Sequence, residues 1–373
     1  MAFIFGTSTA LPSNCYSQEV LATALKKYLI AEDLDFDLNI IDRFFTNVKI
    51  NTRYFTLPLD NFYNPPGMEV TVNESLRITI ALLEKAIRNL LERASLDPQE
   101  ISQFTSVTIY QPSPSVEALL MNLIPFPAHL KRVPLGGLGC IGGCIGVARV
   151  ADYLKGHPTE AVILTTSELN SGLWQGSIQA DMSSLIRQLP TDPSVYSDII
   201  MTIVTAALFA DGPAATLMVG DEHPLAQPGL PRVVDTRSTL IPNTKELMGL
   251  DLVGTGFRNI LRPQVSDFVK IGLRQAIEPL LTKYNLSIDQ ISRWIVHPGG
   301  PKILEAVQDE FGLDKEKLRL SHQALEEVGN ISSSTVIYIL EKVFSEDQPT
   351  AGSYGLLVGM GPGFSQEAIL LQW

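Results

Sequence analysis

The sequence has few cysteines and no long apolar run. Its three cysteines, Cys15, Cys140 and Cys144, are an odd and low count for 373 residues, which argues against a disulfide framework and predicts a reducing compartment such as the cytoplasm. No uninterrupted apolar segment reaches the roughly 20 residues that a membrane span needs, so we expect no transmembrane helix. Residues 1–14 lack the charged start of a signal peptide, and we interpret them as a first strand.

Positive charge is also scarce. The chain has 28 Lys and Arg against 40 Asp and Glu, a net charge of −12, and no basic run, which argues against a nucleic-acid partner. Hydrophobic residues make up 45% of the chain and the mean hydropathy is +0.14. A chain of this length and composition can build a substantial core, either as two domains or as one duplicated domain.

The chain contains an internal repeat. Residues 86–102 align without a gap with residues 276–292, and seven of the seventeen aligned positions are identical. In each copy the apolar spacing is helical, and a turn and an apolar strand follow, at 105–110 and at 293–297. Two amphipathic helices can share leucines by chance, but the matching order of elements favours a duplication.

The duplication predicts an α/β fold made of two similar halves. We place the boundary between the halves within the turn-rich segment 221–230, so that the halves are residues 1–225 and 226–373. Apolar strands alternating with helices indicate sheets covered on both faces, and two such halves would form a layered sandwich with helices between the sheets. The stretch 170–200 has no clear pattern, and we interpret it as a long loop over a site. The predicted helices are 18–29, 75–94, 141–155, 265–284, 301–311 and 332–345, and further strands are 161–168, 214–219, 354–360 and 367–372.

Cys140 lies where a cysteine is expected to be reactive. It follows an apolar segment that ends near Leu135 and precedes a run with helical spacing, so its sulfur lies near a helix N-terminus. Unpaired N–H groups and the helix dipole there favour the thiolate and lower the pKa of the thiol. A thiolate is a good nucleophile and acyl carrier, but it needs a base or cation beside it and donors for a developing oxyanion.

His297 and Asn330 are the candidate partners of this nucleophile. His297 ends a strand and opens into the tight turn 298–301, and α/β folds place functional groups at such strand ends. The alternative is an exposed loop histidine. Asn330 directly precedes an apolar-periodic helix, so that, taken alone, it is more simply explained as an N-cap.

Two other patterns near Cys140 point to different chemistry. Cys144 lies on the same helix face, but a metal site needs two more ligands and none lies nearby, so we interpret Cys144 as a small core residue. Gly137, Gly139 and Gly142 match the dinucleotide fingerprint GxGxxG between a strand and a helix. The pattern lies in the middle of the chain, and the acidic residue that follows this fingerprint in dinucleotide-binding folds is poorly matched here. Both features argue against a nicotinamide cofactor.

Four segments together resemble one family. Residues 139–154, 294–308 and 326–341 resemble the cysteine, histidine and asparagine segments of the type III polyketide synthases, the chalcone and stilbene synthase family, and 359–371 resembles its C-terminal glycine-rich loop. The segment 207–220 also matches. The resemblance begins near residue 75 and keeps the family's order. Related ketoacyl synthases share a Cys–His–Asn set, but they typically carry a glutamine after the histidine and a different C-terminal loop.

The resemblance implies a fold and a mechanism. The fold is the thiolase fold, in which two duplicated halves form a five-layered αβαβα sandwich, usually as a homodimer. Cys140 is the implied nucleophile and takes the starter acyl group, kept ionised by His297 and the helix N-terminus. Malonyl-CoA then loses CO2, and N–H donors of His297 and Asn330 stabilise the enolate. No metal and no cofactor are implied.

The resemblance also assigns a pocket. Phe209 and Phe257 match phenylalanines at the junction of the entry tunnel and the cavity, with core packing as the alternative. Glu168 and Ser332 match residues linked to hydrolysis and aldol closure, and for Glu168 a buried structural carboxylate is the alternative. Trp174 is a further candidate for the cavity wall. The predicted substrate-binding positions are Phe209, Phe257, Asn170, Leu173, Glu168, Ser332, Gly361, Pro362 and Gly363.

The sequence departs from plant members where they bind the phosphates of coenzyme A. The corresponding stretch offers Arg43, Lys49 and Arg53 among three aspartates, and nearby acidic groups oppose phosphate binding. Either Lys302 or another group supplies the anion contacts, or the starter arrives on an acyl-carrier protein. We therefore leave acyl-CoA and acyl-carrier protein open as donors of the starter, with malonyl-CoA as the extender.

We predict an iterative synthase that makes an alkylresorcinol- or alkylpyrone-type product. One alternative is a single-step condensing or acyl-transfer enzyme of the ketoacyl synthase III kind. Another is an inactive thiolase-fold partner protein, although the presence of all three candidate catalytic residues argues against it.

Overall fold

The computed structural model describes residues 1–62, 66–253 and 256–373, which form a mixed α/β structure. The strands are β1 (Ala2–Thr9), β2 (Asn14–Ser17), β3 (Thr52–Phe55), β4 (Ile101–Val107), β5 (Lys131–Leu135), β6 (Ala161–Thr166), β7 (Ala214–Gly220), β8 (Arg232–Leu240), β9 (Met248–Val253), β10 (Gly256–Leu261), β11 (Ile291–Val296), β12 (Tyr354–Gly361) and β13 (Ser365–Gln372). The α-helices are α1 (Gln18–Ala31), α2 (Leu38–Asn47), α3 (Met68–Ala94), α4 (Val116–Leu120), α5 (Gly142–Lys155), α6 (Asn170–Gln188), α7 (Tyr196–Leu208), α8 (Val265–Lys283), α9 (Pro301–Phe311), α10 (Arg319–Val328) and α11 (Thr335–Glu346).

The main sheet is built twice from the same strand order. The first half runs β5-β4-β6-β7-β1 and the second runs β11-β12-β13-β8, so that β4, β6, β7 and β1 correspond to β11, β12, β13 and β8. Corresponding strand pairs also have the same direction. The pairs β4–β6 and β11–β12 are parallel, whereas β6–β7 and β7–β1, like β12–β13 and β13–β8, are antiparallel. Two residue pairs between β1 and β8, Ala2 with Val233 and Phe3 with Arg232, join the halves.

The internal repeat has the same local structure in both copies. In the first, α3 is followed by the short 3-10 helix Pro98–Glu100 and then by β4; in the second, α8 is followed by Ile288–Gln290 and then by β11. Both short helices carry a capping box, which satisfies the free N–H groups at their start. The repeat predicted from the sequence is therefore a repeat of structure as well.

Alternating side chains place a helical layer on each face of each half-sheet. In β6, Val162 and Leu164 pack towards α5, whereas Ala161 and Ile163 pack towards α3. In the second half, β12 and β13 contribute one face to the same central core as α5 and α11, and the other face to the core of α8 and α9. The resulting order of layers, helices–sheet–helices–sheet–helices, is the predicted five-layered α/β arrangement.

The central layer depends on close contact between the starts of α5 and α11. A side chain at Gly142 would lie 2.5 Å from Val107, and one at Gly143 would lie 2.1 Å from the carbonyl oxygen of Ser333. Only glycine allows the backbones to approach this closely. Ser333 belongs to the 3-10 turn Ser332–Ser334 that leads into α11, so this contact joins the two halves beside Cys140.

One prediction about the fold is wrong. The stretch 170–200, interpreted as a loop, contains α6 and the start of α7, which pack into the apolar core formed with α1 and α2. Its serines and glutamines hid the helical spacing, because tertiary packing outweighs weak local propensity. Strand β1 confirms the interpretation of the first residues. Among the described residues, no helix is long and apolar enough to cross a membrane.

We expect Gly143→Ala to destabilise the protein strongly. The new methyl group would overlap the Ser333 carbonyl, and overpacking of this kind typically costs about 1–3 kcal/mol. The measurement is the free energy of unfolding in urea. Gly156→Ala, at the other end of α5, is the matched control, because the nearest atom to its added carbon is 3.6 Å away. Equal stability of the two variants would contradict the close contact.

Candidate active site

The candidate residues gather at the carboxyl ends of parallel strands. Strands β4, β5 and β6 run parallel, so their carboxyl ends share one edge of the sheet. Cys140 follows β5 and Glu168 follows β6 at this edge. His297 follows β11, which takes the place of β4 in the second half and runs in the opposite direction. Open α/β sheets usually bind ligands at this edge. Asn330 reaches the same region from the segment between α10 and α11.

Cys140 lies at the start of the central helix, as predicted. It is in the 3-10 turn Gly139–Ile141, which runs directly into α5. Gly137 and Gly139 have φ angles of 72° and 57°, a left-handed conformation that favours glycine and turns the chain from β5 into the helix. The thiol is half-buried, and its Sγ lies 3.4 Å from Oγ of Ser332 in the second half of the chain.

The C-terminal glycine-rich loop packs against this turn. A side chain carbon at Gly361 would lie 2.9 Å from the backbone nitrogen of Ile141, and one at Gly139 would lie 3.1 Å from Cδ of Pro362. The oxygen of Gly363 accepts a hydrogen bond of 3.1 Å from Thr244 Oγ1, which holds the far side of the loop. These contacts put the loop beside Cys140. Their predicted role in binding substrate stays a prediction.

Asn330 is held by its backbone and by one end of its side chain. Its N–H donates to the carbonyl of Leu208 at 2.9 Å, and its carbonyl accepts from the N–H of Ala210 at 3.0 Å, a short parallel bridge across Phe209. Its Oδ1 accepts the N–H of Ser332 at 2.8 Å. With Oδ1 occupied, Nδ2 is the part of the amide that can donate to the Cys140 sulfur, an interaction that lowers the pKa of the thiol. Asn330 is thus both a local cap and a partner of Cys140.

His297 is buried rather than exposed on a loop. Its side chain is 1% exposed, and its backbone N–H donates to Val358 of the neighbouring strand β12 at 2.9 Å. Neither ring nitrogen has a hydrogen-bond partner among the described residues. Buried polar groups in proteins are nearly always paired, so the two ring nitrogens are candidates for contact with a substrate.

Burial keeps both Cys140 and His297 neutral in the free protein. Loss of solvent raises the pKa of the Cys140 thiol to about 11, although hydrogen bonds from Ser332 and Asn330 act in the opposite direction. Burial lowers the pKa of His297 to about 4. The helix N-terminus is present, but the lowered thiol pKa expected from it is not, because desolvation is the larger effect. The resting pair is a thiol and a neutral imidazole.

Glu168 is a buried carboxyl group with two donors. Its Oε2 accepts the N–H of Ile109 at 2.7 Å, and its Oε1 accepts the hydroxyl of Ser333 at 2.8 Å. Burial raises its pKa to about 7, and its charge acts on Cys140, whose thiol pKa it raises further. Glu168 thus connects β6 to the turn before α11. The sequence did not single out Ser333, and only its position beside Ser332 in a serine triplet hinted at it.

The remaining pocket positions are mainly packed into one apolar core. Leu173 is 1% exposed, and Phe209 and Phe257 pack against the same core cluster, formed by α1, α2, α6 and α7. Asn170 is buried, and its Nδ2 donates to the carbonyl of Ala210 at 2.6 Å. The side chain of Trp174 lies outside the described residues. Whether these positions line a substrate cavity stays a prediction.

Arg53 does not belong to a surface anion site. It is 1% exposed, and its guanidinium donates to Gln18 Oε1 at 3.0 Å and to the carbonyl of Phe209 at 2.9 Å. Of the three cations that the sequence stretch offers, Arg53 is therefore not available on the surface to coenzyme A phosphates. The sequence stretch looked like an exposed charged segment, but strand β3 turns this side chain inward. Arg43 and Lys49 are exposed.

Comparison with known proteins gives this arrangement a family. The profile described as "Chalcone and stilbene synthases, C-terminal domain" matches residues 232–373, and that described as "FAE1/Type III polyketide synthase-like protein" matches residues 15–187. A 1,3,6,8-tetrahydroxynaphthalene synthase of Streptomyces peucetius subsp. caesius is 34% identical over 98% of this chain and 91% of that protein. The chain belongs to the type III polyketide synthases.

Other relatives agree with this assignment. A 3,5-dihydroxyphenylacetyl-CoA synthase of Streptomyces toyocaensis is 27% identical over 99% of this chain and 90% of that protein. The crystal structure of the tetrahydroxynaphthalene synthase of Streptomyces coelicolor A3(2), a bacterial type III polyketide synthase, superposes with a TM-score of 0.85 at 25% identity, covering 100% of this chain and 99% of that one. The thiolase fold predicted from the sequence is confirmed.

This type III polyketide synthase needs no cofactor, since the family acts on coenzyme A thioesters with protein groups alone. In the described part of the chain, no cluster of three or more His, Cys, Asp or Glu side chains could hold a metal ion.

We expect alkylation of Cys140 by iodoacetamide to accelerate continuously with pH. A thiol with a pKa of about 11 gains about tenfold in thiolate per pH unit below that value. The rate is followed by mass spectrometry of the Cys140 peptide in a Cys15→Ser background, because Cys15 is exposed whereas Cys144 is buried. A rate that is already constant near neutral pH would show a preformed thiolate and contradict the neutral resting pair.

Proposed function

We propose that this enzyme extends an acyl starter on Cys140 by repeated decarboxylative condensation with malonyl-CoA and then cyclises the chain. The observation that best supports this proposal is the state of the two partner side chains. His297 is buried with both ring nitrogens unpartnered among the described residues, and the Oδ1 of Asn330 is occupied by the Ser332 N–H, which leaves Nδ2 as the donor of this amide. Donors placed in a buried site without competing bonds suit a developing oxyanion.

Loading of the starter needs one proton transfer. The thiol proton of Cys140 moves to His297 as the sulfur attacks the thioester carbonyl, which forms a thiolate and an imidazolium without a change in net charge. The tetrahedral intermediate then expels the coenzyme A sulfur, which takes the proton from His297. The transfer leaves the net charge of the site unchanged, because an ion pair replaces a neutral thiol and a neutral imidazole.

Chain extension uses the same two partners as donors. Loss of CO2 from the malonyl group leaves an enolate, whose oxygen is stabilised by the N–H of neutral His297 and by Nδ2 of Asn330. The enolate carbon attacks the Cys140 thioester and the sulfur leaves as a thiolate, so that the extended chain is released onto coenzyme A and can be loaded again. The low pKa of His297 keeps its ring neutral and able to donate throughout the physiological range.

An alkylresorcinol- or alkylpyrone-type product is the class we propose. Phe209, Leu173 and Phe257 pack in or against one apolar cluster near Asn330, and such surroundings suit an acyl chain. The names of the relatives favour a second candidate. A 1,3,6,8-tetrahydroxynaphthalene synthase and a 3,5-dihydroxyphenylacetyl-CoA synthase make hydroxylated aromatic products without a long alkyl chain.

For delivery of the starter we propose coenzyme A, held in part by Lys302. This lysine is exposed in the first turn of α9, immediately after the turn that follows His297. Because Arg53 is buried, the candidate cations for the phosphates are Lys302, Arg43 and Lys49. An acyl-carrier protein is the alternative donor of the starter. We also propose that the enzyme is a homodimer, as is usual in the family.

We expect Cys140→Ala to abolish condensation while leaving the fold intact. His297→Ala and Asn330→Ala should each slow decarboxylation of malonyl-CoA by about 10²-fold or more, the loss expected for one oxyanion donor. The measurement is release of labelled CO2, with thermal unfolding as the control for the fold. Product formation by Cys140→Ala would contradict the whole scheme.

The product is identified by mass spectrometry after incubation with labelled malonyl-CoA and acyl-CoA starters of increasing length. Cyclised products with an alkyl chain and at least two labelled units are the expected result. A fully labelled aromatic product from malonyl-CoA alone would instead support the second candidate. A single extension would point to the one-step condensing enzyme, and no product with either thioester would point to carrier-bound starters or to an inactive partner protein.

A further inference from the structure

Arg53 is a buried charge that the mechanism above does not use. It lies on β3, and its guanidinium is 5.6 Å from the ring centre of Phe45 and 5.4 Å from that of Phe55. Its Nε donates to Gln18 and its Nη1 to the carbonyl of Phe209. Among the described residues no carboxylate forms an ion pair with it. Burial lowers its pKa to about 9, which still leaves it charged at neutral pH.

Burying an unpaired cation is expensive, so its hydrogen bonds have to be favourable and well placed. The surroundings are shaped to admit it. Gly329, with a φ of 70°, leaves the space that the side chain of Arg53 fills, because a carbon added there would lie 2.9 Å from Cγ of Arg53. Gln18 is fixed in turn, since its Nε2 donates to the carbonyl of Ala207 at 2.7 Å. We call Gln18, Arg53 and the Phe209 carbonyl the Arg53 brace.

The brace ends on the residue that lies beside Asn330. Phe209 closes α7, and the carbonyl of Leu208 before it and the N–H of Ala210 after it are the two hydrogen-bond partners of the Asn330 backbone. A shift of Phe209 therefore moves Asn330 with it. Gly329, which contacts Arg53, directly precedes Asn330. The brace therefore contacts both segments of the Phe209–Asn330 bridge.

We propose that Arg53 is a positioning residue that sets the place of the Asn330 amide through the Phe209–Asn330 bridge. The proposal rests on the proposed function, because it assigns to Asn330 the stabilisation of the enolate. It goes beyond that function in linking the rate of decarboxylation to a guanidinium that touches no substrate. The effect depends on geometry, because the planar guanidinium of Arg53 holds the side chain of Gln18 and the carbonyl of Phe209 at a fixed separation.

The brace should affect one step of the reaction and spare another. Cys140 is placed by the turn Gly139–Ile141 and by the packing of Gly361 and Pro362, and none of these contacts the brace. Loading of the starter on Cys140 should therefore survive loss of the brace, because the thiol keeps its contact with Ser332, whose effect on the thiol pKa is larger than that of Asn330. Decarboxylation needs the donor of Asn330 in the right place, and a displacement of about 1 Å can cost about 10²-fold in rate.

The test uses Arg53→Lys and Gln18→Met. Lysine keeps the positive charge, but its single ammonium group lacks the planar geometry that lets the guanidinium bond Gln18 and the Phe209 carbonyl together. Methionine keeps the approximate volume of Gln18 without its polar atoms. Arg93→Lys is the matched control, because Arg93 also donates to a backbone carbonyl, that of Thr7 at 2.9 Å, but is exposed and lies away from the bridge. Thermal unfolding checks that each variant is folded.

Two rates are measured for each full-length variant: single-turnover loading of Cys140 with a labelled acyl-CoA, and release of labelled CO2 from malonyl-CoA at saturation. We expect kcat for CO2 release to fall by about 10- to 100-fold in both brace variants, with KM and the loading rate within about twofold of wild type and the control unchanged.

Unchanged CO2 release in the brace variants, or an equal fall in loading and in CO2 release, would overturn the positioning role while leaving the proposed function standing, provided that the wild type makes product. A wild type that loads Cys140 but releases no CO2 would overturn the proposed function and, with it, the role of the brace. The two failures are thus distinguishable in one experiment.

Discussion

The active site depends on the close meeting of two helix starts between the sheets. The 3-10 turn before α5 carries Cys140, and the 3-10 turn before α11 carries Ser332 and Ser333. Gly143 allows the backbones to approach so closely that no side chain fits between them. Because α5 belongs to the first half of the duplicated fold and α11 to the second, this contact brings together a nucleophile and partners that are about 190 residues apart in sequence, as the 192-residue separation of Cys140 and Ser332 shows.

Burial is the second feature that shapes the chemistry. A helix N-terminus alone would stabilise a thiolate at Cys140, but here the loss of solvent outweighs it and raises the thiol pKa. The same burial keeps His297 neutral, so that its ring can donate a hydrogen bond at physiological pH. The two shifts together favour a neutral resting site that becomes an ion pair only during the reaction.

Much of the fold followed from periodicity and repetition. The repeat at 86–102 and 276–292 predicted two equivalent helix–turn–strand units, and both have the predicted structure with the same capping boxes. The segment 170–200 was misread because α6 is rich in serine, glutamine and glycine, and its helical state is set by packing on α3 and α7 rather than by propensity. Arg53 was misread for a similar reason, since sequence spacing does not show which side of a short strand faces the core.

The sequence by itself determined the α/β class, the duplication, the position of Cys140 at a helix start and, through its motifs, the identity of His297 and Asn330 as candidate partners. These features depend on local spacing and on short-range backbone chemistry. Only the tertiary structure decided the pKa shifts, the lack of a partner for the His297 ring nitrogens among the described residues, the contact of Asn330 Oδ1 with Ser332 and the inward direction of Arg53. Each of these depends on desolvation or on contacts between residues far apart in the chain, and such contacts exist only when the two halves are packed together.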